Sequence, residues 1–426
     1  MNIKNSFDEY SYPAVCERIT SFFILLLIFI TYLPCLRASF VNWDDEVHLS
    51  ASHSQMWTST VNNTYIPLTT STWAIEHYFF GYNPFVFHLD NILLHLFVTA
   101  LVIVFSQRMG LTPLAAALAG LLFGIHPMHV ESVAWVTERK DVLYGTFYMS
   151  ALLMYLNYID TNRRKYFWFT MALGVLSICA KPMAVSLPLS LLVLDWFRQH
   201  KMSIRLIFDK LLCASFLVPI AFVTYFLNSH IVEPAMGQGF FIWAWCFVFY
   251  LYKFFYPWPL ILFYGLPASG TIFYLATVAL IGLLTVGFVF RRNRLLIFAL
   301  AFYFVNIFFL LRFQPFLSLV SDRMMYLPSV GICIFLAVAV EKILIWARPK
   351  GWEASFSKVV LGLGIAVMAA MTWRQCEVWE SSETLWRHQL KYDSGTATRL
   401  IDSKLTESYL EAIDSSRADS FLRRGW

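Results

Sequence analysis

The chain has 426 residues, of which 58% are hydrophobic and only 14% are charged, and its formal net charge is +5. Soluble domains usually carry about 25% charged residues, so this composition excludes an ordinary soluble enzyme and also a disordered protein. No basic stretch is long enough to indicate nucleic-acid binding. The mean hydropathy of +0.60 indicates a membrane protein instead. The seven cysteines lack CxxC or paired spacing, so neither a disulfide framework nor a zinc site is predicted.

Apolar segments of membrane-crossing length recur along the chain. A helix needs about 20 apolar residues to cross a bilayer, and the shorter segments need tilt or flanking residues to do so. The first segment is interpreted as a retained signal anchor, because it is long and lacks a small-residue cleavage site. The predicted spans lie near residues 20–38, 86–106, 112–127, 142–159, 166–180, 183–197, 206–226, 271–290, 295–311, 326–346 and 357–373. The sequence therefore predicts an all-α polytopic protein with about eleven transmembrane helices.

Basic residues in the loops predict the orientation of these helices. Clusters of Lys and Arg follow the second, fourth, sixth, eighth and tenth spans, all on one side, which the positive-inside rule assigns to the cytoplasm. The predicted organisation is a cytoplasmic tail at 1–19, a transmembrane domain at 20–373 with a first outer loop at 39–85, and a short outer helical tail at 374–426.

One further apolar segment, residues 240–256, is also long enough to cross. A crossing there would move the basic cluster Arg291–Arg294 to the outside. We therefore interpret it as a re-entrant or interfacial helix that ends at the breaker Pro257-Trp258-Pro259.

Three consecutive acids, Asp44, Asp45 and Glu46, follow the first span. Desolvation and like charge would raise the pKa of at least one of them, and a raised pKa suits a general base. The alternative interpretation is a solvated loop turn or a helix N-cap.

Three cations from distant parts of the chain, Arg139, Lys181 and Arg323, fall at the outer ends of predicted spans. A lipid phosphate at the outer leaflet would need such partners, and Arg can bind it through two parallel hydrogen bonds. The alternative is that they pair with headgroups or with nearby acids, namely Glu138, Asp141 and Asp322.

Two further sets of polar residues lie at the ends of predicted spans. His126, His129 and Glu131 could ligate a metal, but their spacing matches no strong motif and Pro127 breaks the helix that would align them. Interfacial hydrogen bonding or contact with a ligand is therefore favoured over a metal. At the start of the second span stand His88, Asp90, Asn91 and His95. These four are interpreted mainly as hydrogen-bonding groups between helices.

Several of these residues belong to fragments that recur together in a known family. The fragments are FVNWDD at 40–45, FHLDNILLH at 87–95, HPMHVESVAW at 126–135, ERKDVL at 138–143, AKPM at 180–183 and SDRMMYLP at 321–328. In this order they resemble the transmembrane and tetratricopeptide-repeat glycosyltransferase-like proteins, whose eukaryotic members are protein O-mannosyltransferases. The resemblance spans about residues 20–390.

The resemblance implies a GT-C fold and a polyprenyl-phosphate sugar donor, with mannose as a candidate sugar. The acceptor would be a hydroxyl group of an external protein or glycan, and in a protein it would belong to Ser or Thr. It implies a catalytic base in the first outer loop, here Asp44 or Asp45, and cations that stabilise the leaving lipid phosphate, here Arg139, Lys181 and Arg323. Candidate substrate-positioning residues are Glu46, His88, Asn91, His126, His129, Glu131 and Asp322.

The chain departs from this family in its tail. Members continue into many tetratricopeptide repeats, which need neighbours for stability, whereas 374–426 shows no measurable period, so we expect a vestigial or truncated repeat region. A noncatalytic scaffold and a transporter are the alternative functions, but the sequence lacks the internal symmetry of transporters. The expected location is a bacterial inner membrane rather than an endoplasmic reticulum, with the site on the non-cytoplasmic face.

Overall fold

A computed structural model describes residues 14–49, 56–58, 60–61, 64–201, 203–228, 239–265, 267, 269–309, 311, 320–347, 352–392 and 400–408. Its regular structure in these ranges is helical, apart from one isolated bridge between Val61 and Thr64. The predicted cytoplasmic tail up to residue 13 and the tail beyond residue 408 lie outside the described residues.

In the described ranges, sixteen helices carry the labels α1 to α16 in chain order. Their bounds are α1 Ala14–Thr31, α2 Asp45–Leu49, α3 Pro67–Phe80, α4 Pro84–Arg108, α5 Pro113–Gly124, α6 Val130–Ala134, α7 Arg139–Thr161, α8 Arg164–Ala180, α9 Leu187–Phe197, α10 Ile204–Asn228, α11 Gly239–Phe255, α12 Thr271–Val289, α13 Arg294–Phe308, α14 Ser329–Ala347, α15 Trp352–Val378 and α16 Ser382–Tyr392. Short 3₁₀ turns lie at Leu33–Arg37, Pro127–His129, Val136–Glu138, Pro182–Ser186 and Asp322–Met325. Residues 400–408 are also helical.

The all-α, multi-pass membrane architecture predicted from the sequence is confirmed. Six described helices are long and apolar enough to cross a bilayer, and α5 with the segment Pro127–Ala134, bent by 54°, could form a seventh. Four shorter apolar helices lie at Arg18–Thr31, Pro182–Phe197, Gly239–Phe255 and Arg294–Phe308. Each predicted span coincides with a helix of the structure, while the number of crossings, about eleven, stays a prediction.

The centre of the bundle is α7, which packs against α4 and α8. Its inward face carries Tyr144, Tyr148 and Tyr155, all fully buried. Small residues allow close helix contacts nearby, as they commonly do in membrane bundles. At Gly331 of α14, for example, a Cβ atom would lie only 3.2 Å from the Cα atom of Ala299 on α13. The interior therefore combines large buried aromatic side chains with small residues at close helix contacts.

Arginines lie together at the end of the bundle where α4 and α7 finish. Arg108, the last residue of α4, lies 2.9 Å from Asp160 near the end of α7, and Arg198 pairs with the same carboxylate. The polar residues proposed for function lie at the opposite end, where α4 and α7 begin. The structure thus separates the basic loops from the acidic first loop, as the orientation argument requires.

The segment predicted as a re-entrant or interfacial helix is helical as α11, Gly239–Phe255, and ends shortly before Pro257. It packs against α12 and against the turn Asp322–Met325. Its placement relative to the bilayer stays a prediction.

Candidate active site

Asp45 is the first residue of α2 and is only 2% exposed. Its carboxylate accepts hydrogen bonds from the backbone N–H of Val41 at 2.8 Å, from Nε1 of Trp135 at 2.9 Å and from Oγ1 of Thr137 at 2.8 Å. Burial raises the pKa of Asp45 to about 6 although these three donors oppose the shift. With every bond directed into the protein, Asp45 anchors the first loop to the segment before α7.

Asp44 has different surroundings. Its side chain is half-buried, and burial raises its pKa. The negative charge of Glu138 adds to this upward shift, whereas the positive charges of Lys140 and Arg323 oppose it. Asp44 therefore lies within the electrostatic field of Lys140 and of one predicted cation, Arg323, and its pKa is shifted towards that of a base working near neutral pH.

Glu138 joins three cations. Its carboxylate oxygens lie 3.0 Å from Nζ of Lys140, 3.2 Å from Nζ of Lys181 and 3.3 Å from Nε of Arg323. Lys181 also lies 2.6 Å from Oδ1 of Asp141. With Glu131, a further partner of Arg323, these side chains form a group of three acids and three cations. We call it the Glu138 cluster: Glu131, Glu138, Lys140, Asp141, Lys181 and Arg323.

Trp135 connects the Glu138 cluster to the first loop. The Arg323 guanidinium carbon lies 5.4 Å from its ring centroid and Lys140 Nζ lies 5.9 Å away, which is cation–π distance. The indole N–H donates to Asp45, as described above. One aromatic side chain therefore contacts both the anchor of the acidic loop and two cations of the cluster.

Arg139, the next residue after Glu138, has other partners. Its side chain is fully buried, with Nη1 2.7 Å from Glu76 and Nε 3.5 Å from Asp90. Nε also donates to Oδ1 of Asn91 at 2.8 Å, and Nη2 donates to the carbonyl of Phe87 at 3.0 Å. The expected convergence of Arg139 with Lys181 and Arg323 is thus not observed, and its role in phosphate binding stays a prediction.

The two histidines that follow α5 lie within hydrogen-bonding distance of backbone and side-chain atoms. Nε2 of His126 lies 3.0 Å from the carbonyl of Phe254, and its ring stacks on the Phe254 ring. Nδ1 of His129 lies 2.7 Å from the carbonyl of Phe123, and its Nε2 lies 3.0 Å from Oγ of Ser329. Both rings join separate segments of the bundle. In the described part of the chain, no three His, Cys, Asp or Glu side chains are grouped as metal ligands.

Of the remaining predicted positioning residues, Glu131 belongs to the Glu138 cluster and the others lie outside it. Glu131 accepts from the Arg323 backbone N–H at 2.9 Å, so it holds the cation directly. Asn91 donates to the carbonyls of Val133 and Trp135 at 3.2 and 3.3 Å. His88 is buried close to the backbone of Ser39 and Ala134, and Glu46 is exposed. The hydroxyl of Tyr264 donates to the carboxylate of Asp322, and lies 2.8 and 2.9 Å from its two oxygens.

A cavity of about 480 Å³ opens beside this region, at the end of α15. Trp258, Leu260, Met371 and Val378 provide its apolar wall. A second, narrow cavity shares Leu260 and Val378 with it and is lined further inside by Glu131 and Asp322, two acids next to Arg323 in space or in sequence. The narrow cavity therefore reaches Glu131 of the Glu138 cluster, and the larger cavity borders the narrow one.

Sequence reasoning treated Glu138 and Asp141 only as partners of cations and did not include Lys140, Trp135 or the residues of α16 in the site. The alternation of charge in Glu138-Arg139-Lys140-Asp141 at a span end was the available signal for the first group. For α16 the sequence offered no such signal, because its contacts reach the first loop from the far end of the chain.

Known proteins share part of this sequence, although no family model matches it. Human protein O-mannosyl-transferase TMTC2 is 33% identical over 150 residues, which cover 34% of this chain and 18% of the human protein. Human TMTC4 is 32% identical over 154 residues, covering 31% and 21%, and Drosophila melanogaster Tmtc2 is 33% identical over 159 residues, covering 33% and 17%. The matched region thus spans about a fifth of the length of these relatives.

Two solved structures are also similar. One is the Archaeoglobus fulgidus oligosaccharyltransferase tethered with an acceptor peptide, with a TM-score of 0.49, 10% identity, and coverage of 90% of this chain and 59% of that one. The other is ArnT from Cupriavidus metallidurans bound to undecaprenyl phosphate, with a TM-score of 0.45, 14% identity, and coverage of 89% and 78%. The curated relatives confirm the resemblance carried by the six fragments: over about a third of its length, this chain is similar to the TMTC protein O-mannosyl-transferases.

Proposed function

We propose that this chain is an integral-membrane glycosyltransferase that moves a sugar from a polyprenyl-phosphate donor to a hydroxyl group on the non-cytoplasmic side. The proposed sugar is mannose and the proposed acceptor is Ser or Thr of a protein, since the curated relatives are named protein O-mannosyl-transferases. The observation that carries the proposal is the half-buried carboxylate of Asp44, with its raised pKa, in the field of Lys140 and Arg323.

In the proposed reaction Asp44 accepts the proton of the acceptor hydroxyl. The hydroxyl oxygen then attacks C1 of the sugar, the bond between C1 and the phosphate oxygen breaks, and the lipid phosphate leaves with the bonding electrons. Its negative charge is stabilised by Lys181 and Arg323, since fixed cations in a water-poor site act strongly on charge that develops in the transition state.

The Glu138 cluster has equal numbers of acids and cations, so a phosphate must share or replace a carboxylate partner. The Arg323 side chain is 20% exposed, against 9% for that of Lys181. We therefore assign the first contact with the phosphate to Arg323, whose planar guanidinium can bind two phosphate oxygens together. The adjoining cavity of about 480 Å³ has the volume of a typical ligand pocket, and we place one of the two substrates there.

The test is transfer of radiolabelled mannose from polyprenyl-phosphate mannose to Ser/Thr-containing peptides by the purified protein in nanodiscs. Asp44→Asn should lower kcat by about 100-fold or more, the usual contribution of a general base, without lowering the thermal midpoint. Asp402→Asn is the matched control, because this acid is exposed, lies in the helix at 400–408 and is outside the Glu138 cluster, and it should retain activity. In the wild type, kcat should rise with pH through the raised pKa of Asp44.

Full activity of Asp44→Asn would show that Asp44 is not the general base. Asp45→Asn should instead lower stability, because an amide cannot accept from Val41, Trp135 and Thr137 together.

Absence of turnover by the wild type with any lipid-linked sugar would favour a noncatalytic scaffold, and movement of a substrate across the membrane without product would favour a transporter. The multi-pass membrane location is confirmed, while the choice of a bacterial inner membrane stays a prediction.

A further inference from the structure

Helix α16 presents two different faces. Leu385, Trp386 and Gln389 are buried on one face, whereas Arg387 and Glu383 form an exposed ion pair of 2.7 Å on the other. The helix follows α15 after a short turn and packs its buried face against two segments that are remote in sequence. Its contacts with these segments carry the inference.

The first segment is the loop that holds Asp44. Nε1 of Trp386 donates to Oδ1 of Asn42 at 2.7 Å, and the backbone N–H of Asn42 donates to Oγ of Ser382 at 2.9 Å. Asn42 is 5% exposed and stands two residues before Asp44. These bonds therefore locate the start of the acidic loop relative to α16.

The second segment leads to Arg323. Gln389 accepts from the backbone N–H of Phe263 at 3.1 Å and donates to the carbonyl of the same residue at 3.0 Å. The next residue, Tyr264, donates its hydroxyl to Asp322, which directly precedes Arg323. The side-chain amide of Gln389 thus holds the backbone that positions the cation-bearing turn.

An aromatic contact joins the two segments. The ring of Trp43 lies 5.0 Å from the ring of Phe263 and 5.7 Å from that of Trp386, both in edge-to-face geometry. Aromatic pairs of this kind contribute beyond their buried area. Because Trp43 immediately precedes Asp44, a displacement of α16 would move the loop and the 260–264 segment relative to each other.

We propose that α16 sets the position of Asp44 relative to Arg323, with Trp386 and Gln389 as its positioning residues. The catalytic consequence rests on the proposed function. A misplacement of catalytic groups by about 1 Å can cost up to about 100-fold in rate, so the loss of a single positioning bond should lower kcat without removing a substrate contact.

The test compares Trp386→Phe, Gln389→Leu and the control Arg387→Gln, each in the full chain in nanodiscs. Trp386→Phe keeps an aromatic ring and removes the N–H that Asn42 accepts, while Gln389→Leu keeps the approximate volume and removes both bonds to Phe263. Both should lower kcat by about 10-fold with KM changed by less than about 2-fold. Arg387→Gln changes only the exposed face and should leave both constants unaltered. Ser382→Ala, a smaller change that removes the α16 hydroxyl bonded to Asn42 of the same loop, serves if Trp386→Phe fails to fold.

Amide hydrogen exchange provides a second measurement that needs no activity. Trp386→Phe should speed exchange at residues 40–49, and Gln389→Leu at residues 260–264, by about 5-fold or more. Unchanged kcat and exchange in both variants would overturn the proposal, and so would equal effects of Arg387→Gln. If the wild type transfers no sugar, the proposed function fails while the exchange data still decide whether α16 positions the loop.

Discussion

Lys181 and Asp141 form a buried ion pair, with Nζ 2.6 Å from Oδ1 and side chains 9% and 0% exposed. Lys181 directly follows the last residue of α8, and Asp141 lies in the first turn of α7. The pair therefore connects two neighbouring helices at the end of the bundle where Asp44 lies. A buried charge is costly unless its partner is present, so the pair makes a direct prediction for stability.

Lys181→Met should destabilise the protein strongly. It leaves Asp141 without its cation, and breaking a buried pair in this way usually costs about 3–5 kcal/mol. The thermal midpoint of the detergent-solubilised protein should fall accordingly. Adding Asp141→Asn should recover part of the loss, because the stranded charge is removed while Glu138 still lacks one partner. A double variant no more stable than Lys181→Met would contradict this interpretation.

Arg323→Lys should lower transfer activity although it preserves the charge. Arg323 contacts Glu131 and Glu138 and lies over the ring of Trp135, and an ammonium group cannot reproduce all three contacts because it lacks the planar guanidinium. We expect kcat to fall by about 10-fold or more, which corresponds to about 1.4 kcal/mol. Steady-state kinetics with the lipid-linked donor measure this.

The chain offers a matched control for that substitution. Arg294, at the start of α13, lies 5.2 Å from the ring centroid of Trp196 and donates to the carbonyl of Phe197 at 2.6 Å. It thus combines an aromatic contact with hydrogen bonds, but away from the Glu138 cluster. Arg294→Lys should leave kcat unchanged. A similar loss of activity in both variants would show that Arg323 acts through general stability.

Glu76 should make the stability of the protein depend on pH. Burial raises its pKa from 4.5 to about 7, although the Arg139 guanidinium opposes the shift. Between these values the folded protein holds a proton that the unfolded chain has released, so the contribution of Glu76 to the free energy of unfolding decreases as the pH rises from 4.5 to about 7. Glu76→Gln should flatten the decrease in thermal midpoint over this range. Glu383→Gln, an exposed acid on α16, should retain the wild-type pH dependence.

The helical architecture was accessible from the sequence because it depends on local properties. Long apolar runs such as residues 86–106 and 326–346 must form helices in a bilayer, where every backbone polar group needs an internal partner. The order of six fragments also sufficed to identify the relatives. The contacts of α16 were inaccessible, since Gln389 and Phe263 are joined by side-chain-to-backbone bonds across a large sequence separation.

By itself, the sequence determined that a multi-pass helical protein places Asp44, Asp45 and several cations at one end of its spans. Only the tertiary structure decided that Asp45 anchors the loop while Asp44 lies in the electrostatic field of Lys140 and Arg323. It also decided that Arg139 pairs with Glu76 while Glu138 pairs with Lys181 and Arg323. The physical reason is directional. Asp44 and Glu138 lie in the turns directly before α2 and α7, and consecutive side chains there project in different directions, so neighbouring residues meet different partners once the helices pack.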